Sequence, residues 1–209
     1  MGRNTIIPFL LTKGIMHIDY VMPSHMDLDH VGGLLTVIEQ IKVNTVLISK
    51  QGKKSENYEK FMQIVNEKNI KLICVGINGA NNRCRINIEK NLYFDILWPN
   101  NLELIDENVL NNNSIVCKLY YNTFSMLFTG DIEEIAERKI LNEYKENLQI
   151  LNSTVLKVAH HGSKTSSIKE FVEVVKPRIS LIGVGKNNKF GHPNDETLKK
   201  LENIRLKNI

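Results

Sequence analysis

The chain is poor in cysteine, has no long apolar run, and carries no large excess of charge of either sign. Cys74, Cys84 and Cys117 are its three cysteines in 209 residues. Their odd number and wide spacing exclude a disulfide framework and a cysteine zinc knuckle, leaving buried thiols as the expectation. No apolar stretch approaches the roughly 20 residues of a membrane span. The beginning, Met1 to Thr5 followed by Ile6 to Leu11 with Pro8 inside, is too short for the apolar core of a signal peptide. A cytoplasmic location is therefore the default expectation. The formal charge of +4 suits a polyanionic substrate without requiring one. Lysine is dispersed, with short pairs at Lys53-Lys54 and Lys199-Lys200. The length suits one domain over residues 1–209, and no internal repeat interrupts it.

What is present is an alternation of strand-like and helix-like segments. Ile18 to Met22 and Thr45 to Ile48 read as short buried strands, and Lys71 to Val75, Cys84 to Ile88 and Tyr93 to Trp98 as further strands. Val31 to Ile41 and Ser55 to Lys68 carry apolar residues at helical spacing. In the second half, Ser114 to Tyr121 and Phe124 to Thr129 flank Asn122-Thr123, a tight hairpin. Ile132 to Tyr144, Ile168 to Lys176 and Glu196 to Ile204 read as helices, and Val155 to Ala159 and Ile179 to Val184 as strands. The pattern predicts a mixed α/β domain with two runs of strands, each covered by helices.

Chemistry concentrates in His25-Met26-Asp27-Leu28-Asp29-His30, which places two imidazoles and two carboxylates within six residues, followed by Gly32-Gly33. Such a mixture of ligands holds divalent metal ions. His25 and Asp27 alternate along an extended segment and point to one side, while Asp29 and His30 open the following helix and turn back toward them. A polar loop with a helix-capping aspartate is the competing reading. Three other polar groups sit where strands end, the usual place for ligands in layered α/β folds. These are Asp131 in Thr129-Gly130-Asp131, the pair His160-His161 ahead of Gly162, and His192 in Gly191-His192-Pro193. Ser163, Lys164 and Thr165, at the entry to a helix, offer hydroxyls, amides and a cation as a phosphate cradle. His17 has no companion ligand and stays outside the site.

The ordered set from His25 to Gly33, then Gly130-Asp131, then His160-His161-Gly162-Ser163, then Gly191-His192-Pro193 resembles the metallo-β-lactamase-fold hydrolases. Within them it is most similar to the soluble domain of the ComEC competence proteins, which internalise DNA. The resemblance runs from about Thr5 to Leu201 and implies an αββα sandwich with two divalent metal ions, manganese or zinc, at one edge of the sheets. It implies that His25 and Asp27 serve one ion, that Asp29, His30 and His192 serve the other, and that Asp131 bridges them. His160 and His161 would lie beside the metals, near the scissile group. Two departures stand out. Many relatives carry a histidine where this chain has Asn111-Asn112-Asn113-Ser114, which would leave the first metal to oxygen ligands. The family also begins with strands not found ahead of Met1, so the resemblance implies an N-terminally shortened sandwich.

The expected activity is hydrolysis of phosphodiesters, with Asp29, His160 and His161 as catalytic residues and DNA as substrate. A membrane DNA-uptake channel is the expected partner, with the extracytoplasmic face as the location if the chain is part of a ComEC-like protein. The alternatives are a degenerate, non-catalytic module that binds DNA or a partner, and a metallo-hydrolase of thioesters, lactones or lactams.

Overall fold

A computed structural model describes residues 1–50 and 55–207; the pair Lys53-Lys54 lies outside them. Three parallel strands, β1 (His17–Val21), β2 (Lys42–Ser49) and β3 (Lys71–Val75), form a sheet in that order. They are joined by α2 (Leu28–Gln40) and α3 (Glu56–Glu67), the crossover helices that parallel strands need. The apolar faces of both helices pack on this sheet, with Val31, Ile38, Phe61 and Val65 against Val43, Val46 and Ile48. Before β1, a π-helical turn (Gly2–Ile6) and α1 (Ile7–Thr12) lay Ile6, Ile7 and Leu10 against Val37 of α2 and Ile41 just after it.

The second sheet has six strands in chain order: β4 (Cys84–Glu89), β5 (Leu92–Trp98), β6 (Val116–Tyr121), β7 (Phe124–Phe128), β8 (Val155–Lys157) and β9 (Ile179–Leu181). The first four are antiparallel neighbours and the last two join in parallel. Its outer face packs on α5 (Glu134–Glu143) and α6 (Lys169–Val175) through Ile140, Phe171 and Val175, with α7 (Asp195–Lys207) beside α6. Its inner face meets the first sheet, where Leu47 and Val75 oppose Ile86, Ile96, Ile115 and Cys117. Helix, sheet, sheet and helix layers follow, the αββα arrangement expected from the motifs. No described helix is long and apolar enough to cross a membrane.

Several segments differ from the sequence reading. The segment expected as a buried strand at Ile18 to Met22 is an edge strand, and Tyr20 is 41% exposed. Among the described residues β1 has a strand neighbour on one side only, which leaves part of it open. Asn111, Asn112 and Asn113, polar residues of a connecting segment, are buried around the short helix α4 (Val109–Asn112). The Asn113 amide donates to the carbonyls of Ile105 and Val109 and accepts from the Ile105 N–H, clipping the connection to itself. Asn112 accepts from the Glu133 N–H and donates to the Glu107 carbonyl. The hairpin at Asn122-Thr123 forms as expected, with Asn122 at φ 52°.

The start of α6 is closed by another helix. The buried Glu137 carboxylate, on α5, accepts from the N–H groups of Ser167 and Ile168 at 2.7 and 2.8 Å. Truncating it strands two buried donors and leaves a void. Glu137→Ala should therefore lower unfolding stability by on the order of 3 kcal/mol, and Glu137→Gln by less, in a urea titration.

Candidate metal centre

Within the His25 to His30 stretch, His25 lies in a bend rather than an extended segment, while Asp29 and His30 open a helix as expected. Asp27 holds an extended backbone at the N-cap of α2, but its side chain caps nothing. Its carboxylate instead lies 3.4 Å from His25 Nε2, and the close approach of His25 holds it below the usual carboxylate range. Asp29 and His30 occupy the first turn of α2. His30 Nε2 meets Asp131 at 3.0 Å, with Asp131 projecting from the turn after β7. Gly130 makes that turn possible. It has φ +55°, and a Cβ there would stand 2.6 Å from the Ser114 side chain.

His161 reaches the same point from the end of β8. Its Nε2 lies 3.3 Å from Asp131, from Asp29 and from His30 Nε2. Asp29, His30, Asp131 and His161 thus bring four ligand atoms within 4.8 Å of one another, the one such grouping among the described residues. The pair His25 and Asp27 lies alongside, with the His25 and His30 rings 4.1 Å apart. His160 and His192 stand outside the four. His160 Nδ1 lies 3.4 Å from Glu133, and its ring is 5.7 Å from that of His192.

The imidazoles of His25, His30 and His161 are each held by the outer nitrogen. Ser24 Oγ lies 3.1 Å from Nδ1 of both His25 and His30, and Ser114 Oγ is 3.2 Å from His25 Nδ1. The Gly183 carbonyl accepts from His161 Nδ1 at 2.5 Å. All three rings therefore turn Nε2 toward the cluster, the orientation by which second partners fix histidine ligands. His25 Nε2 and Asp131 Oδ1 are buried without a hydrogen-bond partner. A buried acceptor is rarely left unmatched, so a cation suits this donor set.

The backbone that presents His161 is bent against local preference. His160, His161 and Gly162 all have positive φ, at 46°, 54° and 79°. Left-handed non-glycine residues cost energy and persist only where the surroundings hold them. Here the His160 N–H donates to the Gly130 carbonyl, and the Asn194 N–H to that of Gly162. The next residues do not form an open cradle. Ser163 Oγ bonds Thr165 Oγ1, which donates to Glu133, while Lys164 stands exposed. The amides at the start of α6 are taken by Glu137.

Sequence reasoning missed Lys157, Ser24, Ser114 and the Gly183 carbonyl. The Lys157 amine is buried, has no hydrogen-bond partner and lies 3.9 Å from Asp131 Oδ1. Burial pushes its pKa down. A single charge within the apolar run Val155 to Ala159 was the available signal. A cavity of about 720 Å³ opens between α2 and the inner face of the second sheet, lined by Met22, Leu28, Leu34, Phe94 and Phe128 and reaching Asp29, His30 and Lys157.

The sequence model of the metallo-β-lactamase superfamily matches residues 2–186. The chain belongs to that superfamily. It is 32% identical over 202 residues to ComE operon protein 3 of Bacillus subtilis (strain 168), a match covering 97% of this chain and 24% of that protein. It is 27% identical over 195 residues to competence protein ComA of Neisseria gonorrhoeae, covering 93% of this chain and 24% of the relative. The chain thus spans about a quarter of the length of these relatives. Among solved structures it is similar in fold to Igni18, a metallo hydrolase from the archaeon Ignicoccus hospitalis. That similarity has a TM-score of 0.53 at 14% identity, over 88% of this chain and 72% of the other. The superfamily carries the expectation of bound divalent metal.

Burial pushes the Asp131 carboxyl up, but bonds from His161 and His30 outweigh it and hold the group well below its usual range. The bond to Asp131 raises His161. A lowered acid stabilises the fold above its unfolded pKa, near 3.8 here, and loses that contribution as pH falls. A raised histidine stabilises below its unfolded value of 6.5 and loses that contribution as pH rises. In chelator, the melting-temperature gap between wild type and His161→Ala should be widest between these two values and narrow above the upper one. Divalent metal should extend the gap to higher pH, because ligands must lose their protons to bind it.

Proposed function

We propose that this chain is a metal-dependent hydrolase of phosphodiesters, a nuclease acting on DNA in connection with DNA uptake. The observation that carries the reading is the four-residue cluster, its imidazoles oriented from behind and the buried Lys157 amine beside it. Similarity to a competence protein supports DNA as the substrate and a membrane uptake channel as partner. Asp29, His30, Asp131 and His161 would hold one divalent ion and His25 with Asp27 a second, with Asp131 and His192 as further ligands. Bound metal supplies Lewis-acid polarisation of a phosphoryl oxygen and water acidified enough to attack at neutral pH.

The chain's own groups do the rest. Asp29, 65% exposed at the side chain, accepts a proton from the attacking water. His160, beside Glu133 and outside the cluster, donates one to the leaving oxygen. The Lys157 ammonium meets the charge that develops on the phosphoryl oxygens, where low dielectric strengthens it. Ser163 and Thr165 act through Glu133, whose carboxylate Thr165 engages, and Lys164 draws the substrate strand by charge from the surface.

A second reading is favoured by one observation. The cavity that reaches the cluster is mostly apolar, which fits an ester, thioester or lactone with a hydrocarbon chain better than a sugar-phosphate strand.

Purified chain reconstituted with single metals and assayed on single-stranded DNA, bis(p-nitrophenyl) phosphate and an acyl lactone separates the readings. Asp29→Ala should reduce DNA hydrolysis at least about 100-fold, the usual loss when an acid–base group is removed, with the fold intact by circular dichroism. Wild-type turnover in that variant would remove Asp29 from the mechanism. Manganese should activate better than zinc, since three carboxylates and no thiolate make a hard donor set. Zinc-only activation would contradict that assignment.

A further inference from the structure

Phe190 is 81% exposed. A lone bare aromatic is ordinary on a protein surface, but three features set this one apart. The first is support. Asn188 accepts from the N–H groups of Phe190 and His192 at 3.2 and 3.0 Å and donates to the carbonyls of Gly185 and His192 at 3.3 and 2.7 Å. One side chain thus clamps the whole turn, and the ring is held out rather than left loose. The second is stacking. The Phe190 ring lies 5.9 Å from that of His192 with the planes 19° apart, so one face is backed and the other is free. The third is place. The rings of Phe190, His192, His160 and His161 follow one another at 5.9, 5.7 and 6.4 Å, so the row ends inside the metal cluster. Lys186 and Lys189 flank the turn, both exposed.

We infer that Phe190 is a base-stacking subsite. An unpaired nucleobase of the substrate strand packs on the free face of the ring, and Lys186 and Lys189 meet neighbouring phosphates. This combination, an aromatic platform among cations, is how proteins hold single strands without reading sequence. A duplex offers no free base face, so the subsite selects single-stranded over double-stranded substrate. The backing by His192 couples the platform to the row that reaches His161, which directs the strand toward the cluster. The inference rests on the reading of the site as one that acts on DNA.

The test is equilibrium binding of the 209-residue chain to a fluorescent oligothymidylate and to an abasic oligonucleotide of equal length, in chelator so that nothing is cut. Wild type should prefer the oligothymidylate. Phe190→Ala should weaken that binding about 5- to 150-fold, the range for loss of one stacked base, and Phe190→Trp should preserve it. Binding of the abasic strand should not respond to either substitution. Equal affinity of wild type and Phe190→Ala, no oligonucleotide binding by wild type, or a loss shared by both strands overturns the subsite. So does Phe190-dependent binding to phosphatidylglycerol vesicles without a preference for bases, which would make the ring a membrane contact. Adding manganese separates the two claims. If the oligothymidylate binds through Phe190 but stays intact, hydrolysis fails and the subsite stands. If Phe190→Ala cuts it with wild-type KM and kcat, the subsite fails and hydrolysis stands.

Discussion

The buried Asp131 carboxylate is the point on which the structure turns. It lies between His30, carried by the first layer of helices, and His161, carried by the end of β8, and so joins the two halves of the sandwich at one edge. An ionised carboxylate inside a protein is costly unless it is paired and hydrogen-bonded. Two imidazoles on one oxygen and Lys157 near the other supply that pairing in the absence of metal. The same arrangement leaves Asp131 Oδ1 open to a cation. Stability of the edge and readiness to bind metal come from one set of contacts.

Around that carboxylate, geometry is enforced from behind. Ser24 fixes two imidazoles at once, and Ser114 fixes one of them while its Oγ accepts from the Asp131 N–H. The Asp131 turn, the His25 ring and the entrance to β6 are therefore one hydrogen-bonded unit. Gly130 is indispensable to it, because any side chain at that position would collide with Ser114. The buried asparagines belong to the same logic at one remove. By clipping residues 105–113 and the start of α5, they place Ser114 where the imidazole needs it.

The strained turn at His160 and His161 shows how close backbone approach is turned to use. Gly162 lets the loop of His192 and Pro193 press against it, since a Cβ there would stand 2.8 Å from Pro193. That contact and the bond from the Asn194 N–H keep the left-handed backbone in place. As a result, adjacent histidines face different partners. One joins the cluster, and the other stands with Glu133 and with His192, on which Phe190 stacks.

The sequence by itself determined the layered α/β plan, the strand ends that carry ligands, and the helix start at Asp29 and His30. Those features follow from periodicity and local composition, and the first turn of a helix points back at what precedes it. Local spacing sets a side chain's direction relative to its own backbone and says nothing of what lies opposite. Tertiary structure alone decided that His161 rather than His160 meets Asp131, because left-handed backbone at both positions breaks the alternation a strand would impose. It decided that Glu137 closes the start of α6 and that the Thr165 hydroxyl turns to Glu133, partners 30 or more residues away. It also exposed β1, whose composition suits a buried strand but whose position is an edge. Apolar character is a property of the chain, whereas burial depends on which neighbours the fold brings to it.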